Sequence, residues 1–228
     1  MTDRPDPAWP PHALARGAVA VVDLDAYRRN VRRVAEATST PVMAVVKADA
    51  YGHGLVPCAT AALEAGATWL GAALPEEALA LRAAGVGGRV LTWLEVPGSA
   101  FAECVAADVD VTVSALWSLA AVVDAARAQG VRARVQLKAD TGLSRGGATA
   151  SDWPALVATA RAAEADGLVA VTGVWTHFAC ADEPQHPSVA AQLRAFHDAL
   201  AVVRSAGIEP EVVHAANSAA ALGAPEAR

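Results

Sequence analysis

VDVTVSALWSLAAVVDAARAQGVRARVQLK, residues 109–138, is the stretch that decides the fold. A β-branched run at 109–113 leads into an apolar, Ala-rich segment of helical length from Leu116 to Ala128. Gly130 follows, and then a second β-type run at 131–138. Strand, helix, glycine, strand is the mark of a right-handed βαβ unit on a parallel sheet. Outward from it the same unit recurs. β-type runs stand at 42–47 (VMAVVK), 68–73 (TWLGAA), 89–94 (RVLTWL), 169–177 (VAVTGVWTH) and 211–214 (EVVH). Amphipathic segments lie between them at 55–65, 76–84, 99–106, 153–165 and 189–206, and Gly66, Gly85, Gly130, Gly167 and Gly207 mark helix ends.

Runs such as VMAVV and VAVTGV are apolar throughout, as strands buried on both faces should be. No GxGxxG turn follows an early strand, which favours a (β/α)8-type (TIM) barrel over an open doubly wound sheet. Seven barrel-type strands can be counted from 42–47 to 211–214, whereas closure takes eight. The expectation is a barrel cut short before its eighth strand. VAVV at 19–22 also reads as a strand; it precedes the first helix and so would pair outside the barrel. Residues 1–17, Pro-rich and mixed in charge, read as a flexible lead, and 18–228 as the barrel domain.

The 228 residues are 54% hydrophobic and 18% charged, the balance of a globular chain able to bury roughly 70–75% of its unfolded surface. A formal charge of −6 argues against a nucleic-acid binder. Arg28, Arg29, Arg32 and Arg33 sit opposite the apolar stripe Leu24, Tyr27, Val31, Val34 and read as a solvated helix face. No uncharged stretch approaches the ~20 residues of a membrane helix, and the N-terminus has no signal-peptide core. A soluble cytoplasmic protein is expected. Cys58, Cys104 and Cys180 are odd in number and form no CxxC pair, and the histidines show no HxxxH spacing, so no disulfide framework and no metal site are expected.

In a parallel barrel, chemistry gathers where strands end. Those ends carry Lys47 and Tyr51 in KADAYGHG, Lys138 and Arg145 in LKADTGLSRGG, His177 in THFACADE, and His214, Asn217 and Ser218 in HAANSAA. A lysine ending an apolar strand either finds a carboxylate or has a depressed pKa, and a neutral amine is a Schiff-base nucleophile. The alternative is a side chain that snorkels to water. Asn217 and Ser218 open a helix, which is an ordinary cap or a phosphate seat. Lys138 and Arg145 place two cations on one loop, and something must compensate them.

AVVKADAYGHG (44–54) resembles the pyridoxal-phosphate lysine motif of bacterial alanine racemases. LKADTGLSRGG (137–147), THFACADE (176–183) and HAANSAA (214–220) are similar, in the same order, to three further motifs of that family. The resemblance runs from about Ala18 to the last residue. It implies a barrel that binds pyridoxal 5′-phosphate and, in the whole protein, two-base racemisation of L- and D-alanine to supply peptidoglycan, carried out by a cytoplasmic homodimer. Lys47 would hold the cofactor covalently and act as one acid/base group. Tyr51 and Ser218 would bind the phosphate, with Asn217 beside them. Arg145 would face the phenolic oxygen and the substrate carboxylate. Lys138 matches a lysine that is carbamylated in many members, His177 would pack along the pyridine ring, and His214 would support an arginine at the ring nitrogen.

The departures are specific. Family members are longer and carry a C-terminal β-domain, which supplies the opposite-face tyrosine from the partner subunit. The pyridine arginine should fall just past Arg228. Tyr27 and Tyr51 are the only tyrosines here, and Gly146 stands where a larger apolar residue is usual. The isolated chain is therefore expected to racemise little or not at all. A single-domain pyridoxal-phosphate carrier or homeostasis protein is the alternative, and decarboxylase chemistry on the same barrel is a third reading.

Overall fold

A computed structural model describes residues 19–183 and 185–227; the expected lead at 1–17 lies outside them. Seven strands alternate with helices: α1 (Leu24–Thr38), β1 (Met43–Val45), α2 (Leu55–Glu64), β2 (Trp69–Ala72), α3 (Pro75–Ala83), β3 (Arg89–Thr92), α4 (Phe101–Ala106), β4 (Asp110–Val113), α5 (Leu116–Gln129), β5 (Ala133–Lys138), α6 (Trp153–Ala165), β6 (Val169–Trp175), α7 (Pro187–Ser205), β7 (Val212–His214) and α8 (Ser218–Gly223). Every strand pairs in parallel with the next in sequence, in the order β1 to β7. That unbroken order belongs to a singly wound barrel, since a doubly wound sheet reverses direction part-way. The last helix, α8, packs on the first, α1, so the helical ring returns to its start. The barrel-type expectation is borne out, and the five predicted terminal glycines all take positive φ.

The run at 19–22, expected to pair only outside the barrel, is unpaired among the described residues. Residues 19–22 form no strand, and Val19, Val21 and Val22 are exposed. A β-type sequence becomes a strand only when a neighbouring edge takes its hydrogen bonds, and none reaches this run among the described residues.

The barrel interior is built in layers, as inward side chains recur every second residue. At the base, Asp110 is wholly buried. Its carboxylate pairs with Arg89 of β3 and Arg134 of β5, each at 2.8 Å, and accepts the Thr172 hydroxyl of β6 at 2.7 Å. Arg89 lies over the Trp69 ring at 4.3 Å and reaches Glu211, just before β7, at 2.9 Å. This cluster ties β3, β4, β5, β6 and the approach to β7 at one end. Thr172 reaches Asp110 because β6 is irregular there: Val171 pairs with Val135 and Gly173 with Gln136, leaving Thr172 as the extra residue. In the middle layer a Cβ at Gly173 would lie 2.6 Å from the Gln136 amide carbon, so only glycine leaves room for that glutamine.

Removing the Asp110 charge leaves two guanidinium groups facing each other across the base. Asp110→Asn is expected to destabilise the protein by about 3 kcal/mol, the low end for breaking a buried pair because both arginines are partly exposed. Urea unfolding reads the effect, and a loss under ~1 kcal/mol would contradict this account of the base.

Candidate active site

The end of the barrel opposite the Asp110 cluster collects the chemistry. Lys47 follows β1 and begins a single left-handed turn, Lys47–Gly52, in which Ala48, Asp49, Ala50 and Tyr51 take φ between 53° and 57°. Four successive non-glycine residues in that region cost roughly 1–2 kcal/mol each. The turn is pinned in return. The Ala48 N–H donates to Glu77 Oε1 at 2.5 Å and the Leu55 N–H to Asp49 Oδ1 at 2.6 Å. Glu77 Oε2 also accepts the Ala73 and Leu74 N–H groups at 2.9 and 3.0 Å, so one carboxylate holds the loops after both β1 and β2. Bent this way, the chain sets the Lys47 Nζ 5.7 Å from the Tyr51 ring centre and 6.0 Å from that of Trp93. The lysine points into the mouth.

Aromatic rings continue the wall. Trp93 meets Trp175 edge-on at 6.3 Å, and Trp175 stacks on His214 at 5.4 Å with the planes 7° apart. Gly71 leaves room for this wall, since a Cβ there would stand 3.0 Å from Trp93. The His214 Nε2–H donates to Gln136 Oε1 at 2.8 Å, which fixes the tautomer of the neutral ring. Burial pushes its pKa down to about 4. Lys138 ends β5 inside the same mouth, 7% exposed, with its Nζ 4.4 Å from the Trp175 ring. Its amine makes no hydrogen bond or ion pair among the described residues. Burial, and then repulsion from Arg145, lowers its pKa.

His177 follows β6 at the same end of the barrel. Burial, followed by the charges of Arg145, Lys138 and Lys47, pushes it down to about 4. Its loop is held from outside: the Gln192 side chain, buried on α7, donates to the His177 carbonyl at 3.0 Å and the Thr141 hydroxyl at 3.2 Å, and accepts the Ala179 N–H at 2.9 Å. Asp140 Oδ1 accepts the Gly142 and Ser144 N–H groups, both at 3.0 Å, and no ion pair joins Asp140 to Arg145 among the described residues. Arg145 is exposed on the rim and unpaired among the described residues.

Lys47, Tyr51, Lys138, Arg145, His177 and His214 thus share one mouth. Asn217 and Ser218 follow β7 at the same end. Asn217 Oδ1 caps α8 by accepting the Ala220 N–H at 3.0 Å, while the neighbouring Ser218 is exposed. Tyr27, on α1, is half-buried near Cys58 in the outer layer and does not belong to the mouth. Sequence reasoning missed Glu77, Glu95 and Gln192. Glu95 follows β3 at the rim, and the rule that singled out Lys47, an ionisable group ending an apolar strand, would have found it. The sequence also holds a wider signal: Lys47 and Lys138 are the only lysines among its 18 basic residues.

A parallel barrel with a lysine amine inside a cationic, aromatic-walled mouth carries these groups at the end where such barrels place their chemistry. The chain belongs to the alanine racemase N-terminal domain family, which it matches over residues 22–228. It is 58% identical over 209 residues to an alanine racemase of Frankia casuarinae, covering 91% of this chain and 54% of that one. It is 57% identical over 216 residues to one of Streptomyces coelicolor, covering 92% and 55%. The crystal structure of alanine racemase from D-cycloserine-producing Streptomyces lavendulae superposes with a TM-score of 0.89 at 57% identity, over 90% of this chain and 54% of that one. The chain spans about half the length of these relatives.

Neutral His177 and His214 make the fold acid-sensitive. An unfolded histidine takes its proton near ~6.5, whereas these two take theirs near 4, so the unfolded state binds more protons between those values. Their contribution to stability is complete above about pH 6.5 and falls as the pH drops toward 4. The urea midpoint should decline from about pH 7 to about pH 5, and His214→Asn should flatten that decline. An identical slope in the variant would contradict the assignment.

Proposed function

We propose that this domain binds pyridoxal 5′-phosphate and that the protein it belongs to interconverts L- and D-alanine. The Lys47 amine, set between Tyr51 and Trp93 and sharing its mouth with Lys138, Arg145 and His177, is the observation that carries the reading. The residues present fit the cofactor. An aldehyde needs an amine, and the mouth holds the chain's only two lysine side chains. A phosphate and a phenolate need donors and cations; the Tyr51 and Ser218 hydroxyls are exposed and Arg145 has no carboxylate partner among the described residues. A planar ring needs flat walls, and Trp93, Trp175 and His177 offer them. The Trp175 indole N–H is buried without a partner, a donor still to be satisfied in the mouth.

Lys47 would hold the cofactor through its Nζ. Tyr51 and Ser218, with Asn217 fixing the start of α8, would hold its phosphate. Arg145 would face its phenolic oxygen and the substrate carboxylate. When bound, pyridoxal phosphate supplies an electron sink for the charge left on the substrate α-carbon as its proton departs. The chain's own part is placement. Lys47 Nζ takes a proton from the α-carbon, or returns one, on the face that it occupies. Neutral His177 adds no further positive charge to a mouth that already holds Lys47, Lys138 and Arg145. Trp93 stands beside the amine, 6.0 Å from its Nζ, as one flat wall of the mouth. His214, held by Gln136, would support an arginine at the ring nitrogen. Supply of D-alanine to peptidoglycan, a homodimeric assembly and a cytoplasmic location complete the proposal. The names of the relatives favour it over a cofactor carrier or a decarboxylase.

Among the described residues Lys47 is the one basic group placed at the α-carbon, so a single face is served. The purified chain with added cofactor should absorb near ~420 nm, and Lys47→Ala should abolish that band. In D₂O it should wash out the α-proton of one alanine enantiomer at least ~10² times faster than that of the other, the scale of one positioned acid/base group. Proton NMR reads the exchange. Exchange that persists in Lys47→Ala would contradict the role of the amine.

A further inference from the structure

The turn that begins at Lys47 does not hold itself in place. Ala48, Asp49, Ala50 and Tyr51 take φ between 53° and 57° without being glycine, a region that costs each of them conformational energy. Most of the hydrogen bonds around it are local. The Ala50 N–H donates to the Val46 carbonyl at 2.8 Å, the Gly54 N–H to the Asp49 carbonyl at 2.9 Å, and the Leu55 N–H to Asp49 Oδ1 at 2.6 Å. Among the described residues, one hydrogen bond ties residues 47–52 to another element. The Ala48 N–H, next along the chain from Lys47, donates to Glu77 Oε1 at 2.5 Å, across 29 residues.

Glu77 also has an ordinary task. It stands three residues after Leu74, where a glutamate or glutamine reaches back to the start of its own helix. Its Oε2 does so, accepting the Ala73 and Leu74 N–H groups at 2.9 and 3.0 Å at the head of α3. That cap needs one oxygen, and the other is spent on the turn. A glutamine has an acceptor for one side alone, because its NH₂ would face the Ala48 N–H donor with a second donor.

We infer that Glu77 is a positioning residue for the reaction of Lys47 with the cofactor aldehyde, holding through the Ala48 N–H the left-handed turn that aims the amine. In that reaction the nitrogen lone pair adds to the aldehyde carbon. The two amine hydrogens leave with the carbonyl oxygen as water, and a C=N bond remains. Addition requires the nitrogen to meet the carbon from a narrow range of directions, so a small misplacement of the amine is costly. Releasing Ala48 lets the backbone beside Lys47 leave its strained conformation, and it frees Tyr51, three residues further along the same turn. Glu77 thus acts through the backbone and not on the reacting atoms. The inference rests on the mouth being a pyridoxal-phosphate site.

Glu77→Gln and Glu77→Ala separate this role from support of the fold. Glutamine keeps an oxygen for the Ala73 and Leu74 N–H groups, so the urea midpoint of Glu77→Gln should stay near wild type. Glu77→Ala loses the cap as well and should unfold earlier. In both variants the Ala48 amide has lost its acceptor, and hydrogen exchange read by NMR should be at least ~10-fold faster there. The initial rate at which pyridoxal phosphate attaches to Lys47, quenched with borohydride and read by peptide mass spectrometry, should fall ~10-fold in both. That is the scale of one charge-assisted hydrogen bond placing a reacting group. Wild-type Ala48 exchange or a wild-type attachment rate in Glu77→Gln would overturn the inference. So would an attachment rate that falls in Glu77→Ala alone, since the loss would then follow the helix cap. A wild-type chain that attaches no cofactor at Lys47 would instead overturn the functional reading, and Ala48 exchange would still decide whether Glu77 holds the turn.

Discussion

Taking an ammonium out of water costs several kcal/mol unless something replaces its hydration. This chain places its only two lysines in one aromatic-walled mouth. A ring 4.4 Å from Lys138 returns ~0.5–2 kcal/mol, which does not meet that cost. His177 stays neutral and so adds no positive charge. Elsewhere the cations are arginines, which keep their charge and form no imine. They serve structure at the base, where Arg89 and Arg134 clamp Asp110. Amine chemistry at one end and permanent ion pairs at the other give the barrel its polarity.

Such a mouth works only if it is rigid, and rigidity is imposed from behind. Glu77 holds two rim loops at once and keeps the left-handed turn that aims Lys47 and Tyr51. Gln192 reaches from α7 to fix the loop of His177. Gln136, admitted by the bare backbone of Gly173, fixes the tautomer of His214. The strain in the turn is tolerated because the cross-links around it are numerous.

Strand and helix positions were legible because each unit repeats one hydrophobic pattern and ends in glycine; α6 spans 153–165 as expected. The candidate residues were picked out by the rule that chemistry gathers where barrel strands end, and the structure brings them to one end of the barrel. What sequence could not show was pairing. VAVV at 19–22 has the composition of a strand but no edge to bond, and composition carries no information about edges. Glu77 and Gln192 escaped notice because their roles depend on what they face across space. A glutamate such as Glu77 looks solvated until it proves to accept three backbone N–H groups from two loops.

The central claim is that Lys47, and not Lys138, presents the reactive amine. Borohydride reduction of the wild-type chain with pyridoxal phosphate at neutral pH, followed by peptide mapping, tests it most directly. The account predicts a single pyridoxyl mass increment, on the peptide that contains Lys47. An increment on Lys138 in its place, or shared equally between the two, would contradict it.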